Sequence, residues 1–292
     1  MMCENCPRLC GADRQAGERG LCGADGEMRV ARVMLHPWEE PCLCAAGAAG
    51  AVFFSGCSLG CVYCQNRSIS RPDGAGLPGE VWDIARLGEE MLRLADAGAS
   101  CIDLVTPTHY ADSILAALES VRDRLSVPVV WNTGGYEREE IIRRCAGLVD
   151  VFLTDMKYGT PAAAARYSGA EDYPAVAAAA LAVMAEVAGR ARFAQNGQML
   201  SGVILRHLVL PGGRRESEAA LRLAAAAVDP TGVILSLMRQ YTPDFAPESM
   251  PELRRRVTSF EYEYVRDVAL RLGFDGYCQD KDSASRAYTP DF

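Results

Sequence analysis

The chain has 292 residues and a formal net charge of −8, with 30 Lys and Arg against 38 Asp and Glu. That length suits one large α/β domain with a small appendage rather than two full domains, and the charge offers no broad basic surface for counterion-releasing contact with nucleic acid. The opening MMCENCPRLC lacks the apolar core of a signal peptide, and the longest apolar run, AVAAAALAVMA from Ala175, is too short to cross a bilayer, so the expectation is a cytoplasmic protein with no nucleic-acid and no membrane partner.

Residues 1–47 are dense in Cys, Gly and Arg without sustained periodicity, which predicts a small metal- or loop-organised segment. From 48 to 245, short apolar runs alternate with helical spacing. The strand candidates are AVFFSG from Ala51, CIDLVT from Cys101, VPVVWN from Val127, VDVFLTD from Val149, GVILRHLVL from Gly202 and GVILSLM from Gly232. A helix is read where Val81, Ile84, Leu87, Met91 and Leu94 recur at steps of three or four before Gly98. Further helices are expected near 111–125, 137–146, 173–190 and 216–228. Residues 246–292 give one more, from Pro251 to Gly273, and a tail. Six strands alternating with helices predict a parallel sheet with its outer face covered, either a closed or partial barrel or a doubly wound sheet. In both, the site forms at the C-terminal edge, where GCSLGCVYCQN, TPTHY, NTGGYE, TDMKYG, LPGG and RQYTPDF follow the strands.

Twelve cysteines in a reducing compartment point to metal or redox chemistry. Cys101, Cys145 and Cys278, isolated in sequence, read as small buried apolar residues. Cys57, Cys61 and Cys64 are different: composition alone produces a C-x3-C-x2-C trio with a chance of about 0.02. A structural zinc wants a fourth Cys or His nearby, and the next one downstream is Cys101, inside a strand. A four-iron cluster normally takes four thiolates, so three leave one iron open.

With aromatic Tyr63 before the third cysteine, the trio resembles the CxxxCxΦC signature of the radical S-adenosylmethionine superfamily. CVYCQN resembles the CxYCHN of pyruvate formate-lyase activating enzymes with Gln65 in place of His, NTGGY their DTNGY-like segment with Asn132 for Asp, TDMKY their D-x-K pair as Asp155 and Lys157, and LRHLVLPG their R-x-x-x-x-P-G through Arg206. These matches run in order over about residues 51–240, and CPRLC, GERGLCGA, EEPC and LVTPTHY extend the likeness to an uncharacterised branch of activating-enzyme-like proteins. The resemblance implies a partial (β/α)6 TIM-like barrel. It implies a [4Fe–4S] cluster on Cys57, Cys61 and Cys64, with S-adenosylmethionine at the open iron as the source of a 5′-deoxyadenosyl radical. Asp155, Lys157 and Arg206 join the cysteines as acting residues. Tyr63, Gln65, Asn66, Thr106, Thr108, Asn132, Thr133 and His207 join them as cofactor contacts. A monovalent cation beside Asp155 and Asn132 belongs to the same pattern, as does electron supply by a flavodoxin or ferredoxin.

The implied reaction is hydrogen abstraction from a Gly Cα of a partner glycyl radical enzyme. The family's Gly-Gly-Glu motif for the methionine amino group is replaced by TPTHY, where carbonyls and the hydroxyls of Thr106 and Thr108 are available as acceptors. Two other readings stay open: a radical step on a small molecule or another peptide, and a non-catalytic iron–sulfur or zinc redox protein. Cys3, Cys6, Cys10 and Cys22, spaced C-x2-C-x3-C-x11-C, form a second ligand set that suits structural zinc or a further iron–sulfur cluster. Cys42 and Cys44 are unassigned. His109 and His207 lie at strand ends, where a cofactor or substrate contact and a packed imidazole are equally open, and Glu39 and Glu40 in HPWEEP could place a substrate or guide a proton, though adjacent acids before a proline read more readily as an ordinary exposed turn. YTPDF occurs at Tyr241–Phe245 and again at Tyr288–Phe292, which suggests a tail folding back over the rim as a lid.

Overall fold

The computed structural model describes residues 2–71 and 76–284. The second YTPDF, and with it the expected lid, lies outside the described residues. In chain order the strands are β1 (Arg29–His36), β2 (Ala49–Phe54), β3 (Glu80–Val81), β4 (Ile102–Val105), β5 (Val129–Thr133), β6 (Val151–Asp155), β7 (Arg192–Phe193), β8 (Met199–Leu208), β9 (Ile234–Met238) and β10 (Asp275–Cys278). The helices are α1 (Arg67–Ser70), α2 (Ile84–Asp96), α3 (Ala111–Val121), α4 (Glu139–Arg144), α5 (Pro161–Ser168), α6 (Tyr173–Ala188), α7 (Arg214–Ala227) and α8 (Ser259–Arg271).

All of the strands belong to one sheet, in the order β10-β9-β8-β6-β5-β4-β2-β1-β3, with β7 paired to β8. From β2 to β10 every neighbour is parallel and the order is that of the chain. A doubly wound sheet reverses its order at a switch point, and this one does not. The winding is that of a barrel wall, and among the described residues no pairing joins β10 back to β2, so the sheet is open.

The expected six parallel strands are seven among the described residues. β10 follows α8 and pairs with β9 from Asp275↔Ile234 to Cys278↔Leu237, so the C-terminal segment adds a βα unit. Its sequence, DGYC, is too short and polar to read as a strand alone. β1, within the segment expected to be loop-organised, pairs antiparallel with β2. α5 was also missed, although Thr160 caps it through Ala163 N–H, Pro161 opens it and left-handed Gly169 closes it.

Period-two alternation assigns the two faces. Val52, Phe54, Ile102, Leu104, Val129, Trp131, Phe152, Val203, Leu205, Leu235 and Leu237 point into the core shared with the helices. Ala49, Val130, Val151, Leu153 and Ile204 point the other way, where Cys42 and Leu43 of the β1–β2 turn pack against them. That turn plugs the inner face: Met199 N–H donates to the Cys42 carbonyl at 2.8 Å, and Ser100 Oγ to the Leu43 carbonyl at 2.7 Å.

Candidate active site

Above the plug, the inner face opens into a cavity of about 690 Å³ whose wall includes Cys57, Cys61, Cys64, Asn132, Asp155, Lys157 and Arg206. The strand ends deliver these side chains. The register Asp155↔Arg206 on β6 and β8 puts both on the inner face. The cysteine loop leaves β2 through Gly56, at φ +94°, where a Cβ would stand 2.7 Å from the Cys22 carbonyl oxygen and 3.0 Å from His109 Nε2. Only glycine fits so tight a left-handed passage.

Each sulfur of the trio accepts a hydrogen bond. Leu59 N–H donates to Cys57 at 3.4 Å, Ser168 Oγ to Cys61 at 3.0 Å and Ser70 Oγ to Cys64 at 3.5 Å. A hydroxyl relay backs the second: Tyr63 OH meets Tyr158 OH at 2.9 Å, and Tyr158 OH meets Ser168 Oγ at 2.7 Å. Burial, and then the neighbouring Cys61, raises the Cys57 thiol, while burial with Cys61 and Cys57 pushes Cys64 up to about 11. Three thiolates crowded this way repel one another unless a cationic centre takes their protons' place.

Across the cavity, Arg206 holds the ends of β5 and β6 together. Its Nε donates to Asp155 Oδ1 at 2.9 Å and its Nη2 to Asn132 Oδ1 at 2.7 Å, while Lys157 Nζ donates to Asp155 Oδ2. Burial by itself would raise Asp155, but the Arg206 and Lys157 charges outweigh it and hold the carboxyl below the usual range. Thr106 lines the cavity at φ +60°, a strained setting for a β-branched residue.

Of the expected cofactor contacts, Gln65, Asn66, Thr106 and Thr133 line the cavity. Tyr63, Thr108 and His207 do not. Tyr63 is buried edge-on to Tyr167 and Tyr241. Thr108 turns its hydroxyl to Glu137 Oε1 at 2.5 Å, as does Thr133, and Trp131 Nε1 donates to the same oxygen at 3.3 Å. His207 alternates with Arg206, faces outward and binds the Met156 carbonyl at 2.6 Å. His109 is a packed imidazole on the Ser55 carbonyl at 2.7 Å, pushed down to about 4 by burial. Cys278 is exposed at the cavity wall rather than buried.

Glu39 and Glu40 are the clearest correction: instead of an exposed turn they line the cavity, with Glu40 only 9% exposed. Asp103 was overlooked too. It is buried on β4, where an acid between Ile102 and Leu104 in an apolar strand was the available signal. Glu137 gave less warning, since its role depends on three donors from two strand ends.

The N-terminal cysteines sit against the cysteine loop. Cys57 N–H donates to the Cys22 carbonyl at 3.3 Å, and Arg8 donates to the carbonyls of Ser58 and Ser168, both at 2.8 Å, and to that of Gly169. A Cβ on Gly20 would lie 3.2 Å from Cys10 Sγ and 3.4 Å from Cys22 Sγ, and Cys3 and Cys22 both raise the Cys6 thiol. The four thiols are therefore neighbours. Among the described residues, no group of three or more His, Cys, Asp or Glu side chains is drawn into ligating geometry as placed.

For the cysteine trio, the chemistry of the donor set fits an iron–sulfur cluster: three half-buried soft sulfurs, each with a hydrogen-bond donor, open onto the cavity. Gly134 helps leave the space open, since a Cβ there would come within 2.9 Å of Leu59 Cδ1 and 3.3 Å of Lys157 Cε. Among the described residues, no helix is long and apolar enough to cross a membrane.

No family model matches the chain. An uncharacterized protein of Methanocaldococcus jannaschii is 27% identical over 285 residues, which is 94% of this chain and 75% of the relative. A crystal structure of methylornithine synthase superposes on 75% of this chain with a TM-score of 0.45 and 14% identity, and the match spans 63% of that enzyme's length.

Proposed function

We propose that the chain is a radical S-adenosylmethionine enzyme. The observation that carries this reading is that the C-x3-C-x2-C thiols and the Asn132–Asp155–Lys157–Arg206 network, far apart in sequence, open into one cavity. A [4Fe–4S] cluster with S-adenosylmethionine at its open iron would supply one-electron cleavage of the cofactor's C–S bond and a 5′-deoxyadenosyl radical for hydrogen abstraction. Cys57, Cys61 and Cys64 hold the cluster, and the Ser168 and Ser70 hydroxyls steady two of the sulfurs. Lys157 and Arg206, already fixed on Asp155, present cationic N–H groups toward a cofactor carboxylate. The rim offers the carbonyls of Thr106 and Thr133 and the Thr106 hydroxyl as acceptors to an ammonium group. The plugged floor keeps water from the inner face below.

The finer reading is activation of a glycyl radical enzyme by removal of a Gly Cα hydrogen, with a flavodoxin or ferredoxin as reductant. Its support is the motif resemblance from the cysteine loop to Arg206. The four N-terminal thiols take a structural zinc or a second cluster in this reading, and a monovalent cation beside Asp155 is part of the same pattern. The charged network in the cavity favours an enzyme over a redox protein, which has no use for cofactor-carboxylate contacts. Anaerobic reconstitution followed by electron spin resonance tests it. A reduced cluster signal that shifts when S-adenosylmethionine is added is the expected result; a signal indifferent to it would remove the reading.

A further inference from the structure

A second group of residues shares the cavity. His36, Trp38, Glu39 and Glu40 of β1 and the β1–β2 turn line it, together with Tyr277 of β10. Asp103 adjoins them: Asn132 Nδ2 bridges its Oδ2 at 3.2 Å to Glu39 Oε2 at 3.4 Å. Four carboxylates meet here, Glu39, Glu40, Asp103 and Asp155. Two cations, Lys157 and Arg206, answer them, and both are engaged with Asp155. Arg206 reaches Glu39 only at 3.6 Å. Carboxylates thus outnumber their cationic partners at this end of the cavity.

Two buried polar atoms in this group lack any partner among the described residues: Asp103 Oδ1, in a fully buried side chain, and His36 Nδ1, in a side chain 8% exposed that faces the cavity. Native proteins rarely leave such atoms unsatisfied. Burial and the Glu39 charge raise Asp103 well above the usual carboxylate range, and burial with Glu39 pushes Glu40 up to about 7. In both, burial and the neighbouring carboxylate outweigh the Arg206 charge. The cavity, about 690 Å³ with Trp38 and Phe53 in its wall, has room for an organic molecule with an apolar stem.

We propose that this acid-lined part of the cavity recognises the cationic nitrogen of an alkylammonium-bearing substrate, with Glu39 and Glu40 accepting its N–H hydrogens, Asp103 behind the wall positioning Glu39 through Asn132, and Trp38 offering its ring to the stem. As a substrate subsite it rests on the reading above; as a binding site it does not. The chemistry is shared by a free amine and a lysine side chain. Titration calorimetry on the full chain would use 1,5-diaminopentane, the capped peptide acetyl-Gly-Lys-Gly-amide, and 1,5-pentanediol as the neutral control.

Saturable binding of either amine but not of the diol is the expected result, weakened about tenfold or more in Glu40→Gln and in Glu39→Gln. The tighter of the two amines identifies the source. If Glu39→Gln does not fold, Glu40→Gln carries the test alone. Diol binding equal to amine binding, no amine binding, or unchanged affinity in the folded variants would overturn the proposal. A parallel assay for 5′-deoxyadenosine separates the two ideas. Amine binding without this product keeps the site and removes the radical reading, and the reverse outcome does the opposite.

Discussion

Asp155, itself buried, answers both half-buried cations of the site, so its removal strands two charges. Asp155→Asn is expected to destabilise the protein by about 3 kcal/mol, as for other buried pairs broken on one side, measured by urea unfolding near pH 7. Because its folded-state pKa is depressed, its contribution is present in full above about pH 4 and fades as the pH falls through the lowered value. Glu137 has the opposite sign. Burial raises it to about 7 against three hydrogen bonds that lower it, so its contribution is present below about pH 4.5 and is lost as the pH rises through 7. Glu137→Gln, which keeps an acceptor for Thr108, Thr133 and Trp131, should therefore gain stability over the wild type at pH 8 and not at pH 4.5; a gain at both would refute a buried titrating acid. At Thr106, φ +60° is unfavourable for any residue but glycine. Thr106→Gly should leave the melting temperature unchanged or raised while weakening S-adenosylmethionine binding, and equilibrium dialysis on the reconstituted protein would show whether those effects diverge.

At the level of elements, the sheet's cavity edge depends on close backbone approaches. Gly135, at φ +81°, would place a Cβ 2.2 Å from the Asp155 carbonyl oxygen. Gly135→Ala is expected to cost more than 2 kcal/mol and to disturb the Asp155 network as well, seen as a lower urea midpoint. Much of this layer was legible from the sequence: β5, β6 and β9 announce themselves as Val, Ile and Leu runs because a parallel sheet covered by helices buries them. β10 did not, because DGYC borrows its conformation from β9 through backbone pairing. The β1–β2 turn misled for a related reason. Adjacent glutamates before a proline look solvated until the turn is seen folding into the open inner face, a long-range fact that no local pattern carries. His207 shows the reverse case, in which strict alternation beside Arg206 would have turned it outward had period two been applied residue by residue.

On the scale of the whole molecule, the N-terminal cysteine segment is clamped to the cysteine loop by Arg8 and by the Cys22–Cys57 backbone contact. If its four thiols hold a metal of their own, replacing Cys57, Cys61 and Cys64 together with Ala should still leave metal bound after reconstitution, at about one zinc or one cluster per chain, by elemental analysis. Loss of all metal would assign every bound ion to the trio. The central claim, though, concerns that trio and the cavity it faces. Anaerobic reconstitution with iron and sulfide, reduction by dithionite and chromatography after addition of S-adenosylmethionine test it most directly, beside a Cys61→Ala control and with an amine-bearing peptide present. The account predicts 5′-deoxyadenosine from the wild type and none from the variant. A reduced three-cysteine cluster that binds S-adenosylmethionine and yet forms no 5′-deoxyadenosine would contradict it.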